Sequence, residues 1–167
     1  FGPTPCLCMD GKMRSGKLLF DFNASTTSTT APVYYRTPGF KCSISTSNYV
    51  VDSYTVNIVN KTITNTTPIS IPTGTNPGIN LTWSISANVN IVKPSNGGTV
   101  SWNCTRTKTL LNTNDPLCYG GQSMAINWTK AKIQLDGSAS GSSAQGNTYT
   151  SSIIALVRDF GGCILAG

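Results

Sequence analysis

Residues 79–92 read INLTWSISANVNIV and place an apolar side chain at every second position. The apolar set is Ile79, Leu81, Trp83, Ile85, Ala87, Val89 and Ile91. The positions between them hold only Asn, Thr and Ser. A period of two is typical of a β-strand with one face in a core and the other in water. A helix would spread these apolar residues around its whole circumference, so the stretch predicts a long, half-buried strand.

Weaker alternation predicts further strands at residues 18–23, 49–59, 99–104, 124–135 and 149–160. No segment has a convincing helical pattern. Residues 136–147, DGSASGSSAQGN, have the composition of a flexible loop. Many strands with Pro- and Gly-rich connections are typical of all-β folds. We therefore expect one domain over residues 1–167, an elongated, disulfide-stapled β-sandwich or jelly roll of immunoglobulin-like type.

The chain contains no histidine, and its six acidic residues are all aspartate. Histidine is the commonest metal ligand and the one side chain that titrates near neutrality without help. Its absence excludes Ser-His-Asp and Cys-His catalysis and histidine-based zinc sites. We therefore predict a binding or structural protein rather than an enzyme, with no metal ion and no cofactor.

Six cysteines in a chain with 11% charged residues predict disulfides formed in an oxidising compartment. The spacing lacks the C-x-x-C pattern of a zinc site. Cys104 and Cys118 enclose a turn-rich stretch that one disulfide would staple. Cys42 and Cys163 would then pair with Cys6 and Cys8, in an order that the spacing leaves open.

The net charge of +6 gives a basic surface that could attract acidic glycans or anionic matrix. Aromatic residues rarely alternate with the basic ones, as they do in nucleic-acid readers, so we expect no nucleic-acid partner. No apolar run is long enough to cross a bilayer, and we expect no membrane insertion. Six N-x-[ST] sequons begin at Asn23, Asn60, Asn65, Asn80, Asn103 and Asn127. They fit either a glycosylated eukaryotic ectodomain or chance in a chain rich in Asn, Ser and Thr.

Residues 106–122 read RTKTLLNTNDPLCYGGQ and hold the predicted ligand site. Sugar binding needs planar polar groups that donate to and accept from hydroxyls, together with an aromatic face. The stretch supplies both, while Asn-Asp-Pro is also ordinary turn chemistry. The candidate ligand-binding residues are Arg106, Asn112, Asn114, Asp115, Tyr119 and Gln122.

The first third of the chain resembles the opening of chaperone–usher fimbrial tip adhesins. The resemblance rests on Phe1 with cysteines close behind, on Leu18-Leu19-Phe20-Asp21-Phe22-Asn23, and on Pro38-Gly39-Phe40-Lys41-Cys42. Gly146-Asn147-Thr148-Tyr149, leading into Ser152-Ile153-Ile154-Ala155-Leu156, is similar to the closing strands of these domains.

This resemblance implies an extracellular, receptor-binding domain at the tip of a bacterial fimbrium, exported through the periplasm. It implies a disulfide from Cys6 or Cys8 to Cys42. The implied partners are a host glycan or matrix protein, a pilin domain of the same polypeptide, and a periplasmic chaperone and usher. The alternatives are a structural pilin or other assembly subunit, and the glycosylated ectodomain. The prolines near the N-terminus favour the tip domain over a shaft subunit, because proline cannot donate ladder hydrogen bonds.

Overall fold

The computed structural model describes residues 1–22, 35, 38–68, 80–111 and 131–160. These residues form an eight-stranded antiparallel sheet in which each strand pairs with the next one along the chain. The strands are β1 Cys6–Leu7, β2 Met13–Phe22, β3 Lys41–Val51, β4 Tyr54–Asn65, β5 Leu81–Val92, β6 Thr99–Leu110, β7 Lys132–Ser142 and β8 Thr148–Asp159. None of the described residues is helical, and among them there is consequently no helix suited to crossing a membrane.

The predicted strand at residues 79–92 is confirmed as β5, which lies near the middle of the sheet. It pairs with β6 from Leu81 opposite Leu110 to Val92 opposite Thr99 without a register shift. The connection between them turns at residues 93–98, where the Lys93 amide donates to the Gly98 carbonyl at 3.0 Å. An unbroken register aligns the outward side chains of the two strands in rows.

The sheet has one mainly apolar face and one polar face. The apolar face carries Trp83, Ala87 and Val89 of β5, which are all buried. Register places Cys104 of β6 and Ala139 of β7 beside Ala87 on this same face. The polar face carries the alternate residues of each strand. This separation follows from the two-residue period of the sequence.

Three groups of buried side chains make up the core. The first contains Leu81, Trp83, Leu110, Ala131 and Ile133. The second contains Ala87, Val89, Cys104 and Ala139. The third contains Phe40, Cys42 and Ile44 from the start of β3 and the residue before it. The first two groups both draw on β5, β6 and β7, and Ile58 and Ile63 of β4 pack against them and against the third. The core therefore connects β3 to β7 through β4.

Two sequence predictions are wrong in detail. Residues 49–59 do not form one strand, because the chain turns at Asp52 and Ser53, both of which have positive φ. Positive φ at both central residues is the geometry of a type I′ hairpin turn. Residues 136–147 are not a loop throughout, since β7 extends to Ser142. The all-β prediction is confirmed, whereas the described strands form one sheet and show no second sheet packed on it.

The described cysteines, Cys6, Cys8, Cys42 and Cys104, are free thiols in this structure. Cys6 lies opposite Arg14, and Cys42 lies opposite Phe22, eight residues further along β2. Eight strand residues span roughly 26 Å, whereas disulfide-bonded residues have Cα atoms within about 7 Å. The implied bond from Cys6 or Cys8 to Cys42 is therefore not formed in this arrangement, since Cys8 lies beside Lys12 at the same end of β2 as Cys6. Cys118 and Cys163 lie outside the described residues.

Candidate functional site

Two rows of small polar side chains cross five strands on the polar face. Register pairs Asn60 with Asn88, Asn88 with Asn103, Asn103 with Ser140, and Ser140 with Thr150. One step along the same face, it aligns Thr62, Ser86, Thr105, Ser138 and Ser152. Neighbours within a row are about 4.8 Å apart, and the rows are about 6.6 Å apart along the strands. Neither row contains a charged or an apolar side chain.

All members of the two rows except Thr62 line a concave region of about 770 Å³, which we call the polar groove. It is lined by Asn60, Ser86, Ala87, Asn88, Asn103, Cys104, Thr105, Ser138, Ala139, Ser140, Thr150, Ser151 and Ser152. Register shifts occur at both of its sides, between Ile58 and Asn60 in β4 and near Gly137 in β7. Such bulges bend a strand and increase its twist, which accounts for a concave surface on an otherwise continuous sheet.

The bulge beside the groove is held by a carboxylate. Asp136 of β7 accepts a hydrogen bond from the Ala155 amide of β8 at 2.7 Å and one from the Gln134 side chain at 2.7 Å. Ala155 has a φ of 48°, which is unusual for a residue with a side chain. These hydrogen bonds lower the pKa of Asp136, so the residue stays ionised in neutral water. A fixed bulge gives the groove a defined edge at β8.

Most groove side chains are available to a ligand. Thr62 and Ser86 bind each other through their hydroxyls at 2.8 Å. By contrast, Asn88, Asn103 and Ser140 are exposed, and their side chains form no hydrogen bond with any described residue. A hydroxyl can both donate and accept, and a carboxamide offers two donors and an acceptor with two lone pairs. The groove therefore presents a neutral grid of donors and acceptors to solvent.

A second cluster lies on the apolar face and joins aromatic rings to a lysine. Tyr35 stacks on Trp83 with ring centroids 4.9 Å apart and meets Phe40 edge-on at 5.7 Å. The Lys108 Nζ atom lies 5.4 Å from the Trp83 centroid and 3.5 Å from the Tyr35 hydroxyl. We call Tyr35, Phe40, Trp83 and Lys108 the aromatic–lysine cluster. Cation–π attraction stabilises a charge in this position.

Burial shifts the pKa values of two groups in this cluster. It raises the pKa of the Tyr35 hydroxyl and lowers the pKa of the Lys108 ammonium, because a low dielectric disfavours either charged form. Arg106 lies two residues before Lys108 on the same face, and its Nη1 atom is buried with no hydrogen-bond partner among the described residues. An unpaired buried donor is unusual in a folded protein.

The structure locates one of the predicted ligand-binding residues. Arg106 lies on β6, opposite Ile85 of β5 and Gly137 of β7, and so on the apolar face rather than in the polar groove. Asn112, Asn114, Asp115, Tyr119 and Gln122 lie outside the described residues. Within the described part of the chain, no three His, Cys, Asp or Glu side chains are grouped so that they could hold a metal ion.

The polar groove escaped the sequence prediction although part of its signal is visible. The outward positions from 80 to 90 are uniformly polar, and positions 99, 101, 103, 105, 107 and 109 repeat the pattern. The other part is residues 138–142, SASGS, whose composition suggested a loop. A strand made of Ser, Ala and Gly has little intrinsic preference for a sheet, and its neighbours decide its conformation.

Comparisons of the chain with protein-family models, with curated proteins and with solved structures gave no match. The geometry of the polar groove and of the aromatic–lysine cluster is therefore the basis for the functional proposals below.

Proposed function

We propose that this protein is an extracellular adhesin domain that binds an uncharged stretch of a glycan chain non-covalently in the polar groove. The observation that carries the proposal is the pair of aligned rows of Ser, Thr and Asn side chains across five strands. A glycan exposes hydroxyl pairs that need partners able both to donate and to accept hydrogen bonds. The groove offers such partners at regular spacing.

The dimensions of the groove fit an extended polymer better than a single sugar. Five strands have four spacings between them, which amounts to about 19 Å. A chain lying across the strands would meet Asn60, Asn88, Asn103, Ser140 and Thr150 in turn. The volume of about 770 Å³ lies within the range of about 300–1,000 Å³ that is usual for ligand sites.

Each contact in such a groove is weak, because every hydrogen bond to the ligand replaces one to water. A net gain of about 0.5–1.5 kcal/mol per neutral hydrogen bond leaves a single domain with modest affinity. Many copies on one cell would bind a repetitive surface far more tightly. Once one copy is bound, the others are held near their ligands at a high effective concentration. Weak, repeated attachment is the behaviour expected of an adhesin.

The resemblance in the first third of the chain supplies the cellular setting of the proposal. It places the domain at the tip of a fimbrium, in the jelly-roll form of that family, with a pilin domain following and a chaperone and usher acting in export. A matrix protein is the alternative host ligand. In this setting the cysteines would meet an oxidising environment, and mass spectrometric mapping of disulfides in exported protein would test that part.

The glycan proposal is tested by binding of purified protein to a glycan array that also carries matrix proteins. The double variant Asn88→Ala with Asn103→Ala removes two exposed carboxamides from the centre of the groove. We expect it to lose binding to any glycan that the unmodified protein retains. The matched control is Asn57→Ala with Asn90→Ala, which changes a neighbouring row of the same face outside the groove lining.

The control variant should bind like the unmodified protein. Equal binding by both double variants would place the ligand elsewhere, and binding to matrix proteins alone would favour the other class of host ligand. Two sequons, Asn60-Lys61-Thr62 and Asn103-Cys104-Thr105, have their asparagines in the groove lining. Glycans found at either position in native material would fill the groove and favour the eukaryotic ectodomain instead.

The outer edge of β8 supports a second candidate, an assembly subunit. Among the described strands, β8 pairs only with β7, and Ile154 and Leu156 are 84% and 55% exposed. An exposed apolar edge strand is a template for pairing with another chain. Sedimentation velocity over a range of concentrations tests this candidate. Growth of large species that Ile154→Lys suppresses would support assembly, and a monomer at every concentration would favour the adhesin.

A further inference from the structure

We propose that Arg106 and Lys108 form a binding site for the carboxylate of an acidic sugar on the apolar face of the sheet. The site is separate from the polar groove, because Arg106 and Lys108 pair with Ile85 and Trp83 of the apolar face. It is independent of the function proposed for the groove.

The first observation is the arrangement of the two cations. Arg106 and Lys108 are alternate residues of β6, so their side chains leave the same face about 6.6 Å apart along the strand. Across β6 on the other side, Arg106 pairs with Gly137, which contributes no side chain to this face. A carboxylate is small enough to lie between two cations at this separation and has two oxygens to share between them.

The second observation is that neither cation has an acidic partner among the residues that the structure describes. Of the described aspartates, Asp21 pairs with Ser43, Asp136 with Thr107 and Asp159 with Lys132, all on the polar face. Asp10 and Asp52 bind Arg14 and Lys12 near the β1–β2 turn. Within the described part of the chain, the apolar face thus carries cations without a carboxylate.

The third observation concerns hydrogen bonding. The Arg106 Nη1 atom is buried without an acceptor in the described part of the chain, although a guanidinium donor normally binds a carboxylate or carbonyl when it is removed from water. The Lys108 Nζ atom has the Tyr35 hydroxyl at 3.5 Å and two ring faces beside it. An anion at this position would satisfy the guanidinium and neutralise the half-buried ammonium together.

The aromatic rings favour a carboxylate carried on a sugar ring. Tyr35 stacks on Trp83 yet remains 38% exposed, so part of its surface is open to solvent beside Lys108. Sugar rings present C–H groups that pack on aromatic surfaces, while their hydroxyls bind polar tips such as the Tyr35 hydroxyl. The site therefore matches a uronic acid or a similar acidic monosaccharide.

The test is a titration of the isotope-labelled full chain with sodium glucuronate, followed by NMR of the Trp83 indole N–H and the Arg106 side chain. We expect saturable shifts of both signals with glucuronate and none with glucose, its uncharged counterpart. Acetate separates a sugar acid from a free carboxylate, and it should bind several-fold more weakly. Equal binding of acetate would overturn the preference for a sugar, and an equal response to glucose would overturn the site.

The variants Arg106→Gln and Lys108→Met should each weaken glucuronate binding at least about tenfold, which is the usual cost of losing a charge-assisted hydrogen bond. Lys61→Met is the matched control, because Lys61 lies on the same face, opposite Ala87, and outside the aromatic–lysine cluster. The Lys61→Met variant should bind glucuronate as tightly as the unmodified protein does. Arg106→Lys keeps a cation and should retain part of the affinity, which separates a lost contact from a misfolded variant.

The double variant with Asn88→Ala and Asn103→Ala changes the polar groove alone and should bind glucuronate normally. The groove proposal and this proposal can therefore fail independently. If the Arg106→Gln variant has a native NMR spectrum and still binds glucuronate with full affinity, the proposal is contradicted. Absence of any saturable shift in the unmodified protein would do the same.

Discussion

The Trp83 indole nitrogen donates a hydrogen bond to the backbone carbonyl of Tyr35 at 2.9 Å, while the two rings stack at 4.9 Å. The Asn65 side chain donates to the same carbonyl at 3.2 Å. Two buried side chains, from β5 and from the end of β4, thus hold one backbone group that lies outside the strands. Trp83 therefore contributes both a buried apolar ring and a hydrogen-bond donor.

Replacement of Trp83 should destabilise the fold strongly, because its side chain is only 1% exposed. We expect Trp83→Ala to lower the free energy of unfolding by about 3–5 kcal/mol. Trp83→Phe keeps a ring but removes the donor, and it should cost about 1–3 kcal/mol. Urea denaturation followed by circular dichroism measures both. Trp102→Ala, at a less buried position of β6, should cost less, and an equal loss would contradict the special role of Trp83.

The depressed pKa of Lys108 predicts a stability that rises with pH in the alkaline range. Burial lowers this pKa from 10.5 in the folded protein, so the unfolded chain binds more protons between the two values. Relative to Lys108→Met, the unmodified protein should therefore gain stability as the pH rises through the lowered pKa of Lys108 toward 10.5. Tyr35 titrates in both proteins, and its raised pKa keeps it neutral in this window. A difference independent of pH would contradict the burial of the ammonium.

Asp10 should titrate near pH 2. Arg14 binds both of its oxygens, at 2.6 and 2.7 Å, and lowers its pKa from 3.8 to about 2. Because the folded pKa is the lower one, the stabilising contribution of Asp10 is present above 3.8 and is lost as the pH falls toward 2. NMR of the Asp10 carboxyl carbon measures the midpoint, which Arg14→Gln should move back toward 3.8. An unchanged midpoint would show that the guanidinium is not the cause.

Gly141 should not tolerate a side chain. A Cβ atom there would collide with the Ser101 carbonyl oxygen and lie 2.6 Å from the Tyr149 hydroxyl, which itself donates to Ser101. We expect Gly141→Ala to cost about 1–3 kcal/mol, as overpacking usually does. Gly2→Ala is the control, since nothing lies within 4 Å of its added atom. Thermal unfolding of both variants measures the difference, and equal melting temperatures would refute the predicted collision.

The parts of the fold that could be predicted from the sequence are the strands whose own residue pattern shows which side chains face the core. β5 alternates over its whole length, so its existence, its inward side chains and its outward side chains all follow from local sequence. The turn at Asp52 and Ser53 has no glycine to mark it. The alternation of apolar and polar residues continues across that turn, so it did not mark the boundary between β3 and β4. Type I′ turns favour Asn, Asp and Gly, and of the two central residues of this turn only Asp52 is of a favoured type.

The candidate site depended on information that no single strand holds. Asn88 and Asn103 become neighbours only through the register of β5 and β6, and Ser140 joins them only because β7 is a strand. The aromatic–lysine cluster likewise unites Tyr35 with Lys108, which are 73 positions apart. Composition and periodicity do not show which residues from distant parts of the chain lie side by side. The sequence prediction therefore fell on residues 106–122, where candidate ligand-binding side chains are close together in the sequence.

The nearest-neighbour order of the sheet has a consequence for how the chain folds. Each described strand finds its partner in the next strand along the chain, so none must wait for a distant segment. Folding rate falls as contacting residues lie further apart in sequence, and this connectivity keeps that separation small for an all-β protein. The sheet can grow by adding one strand at a time, beginning before the last strands have been synthesised.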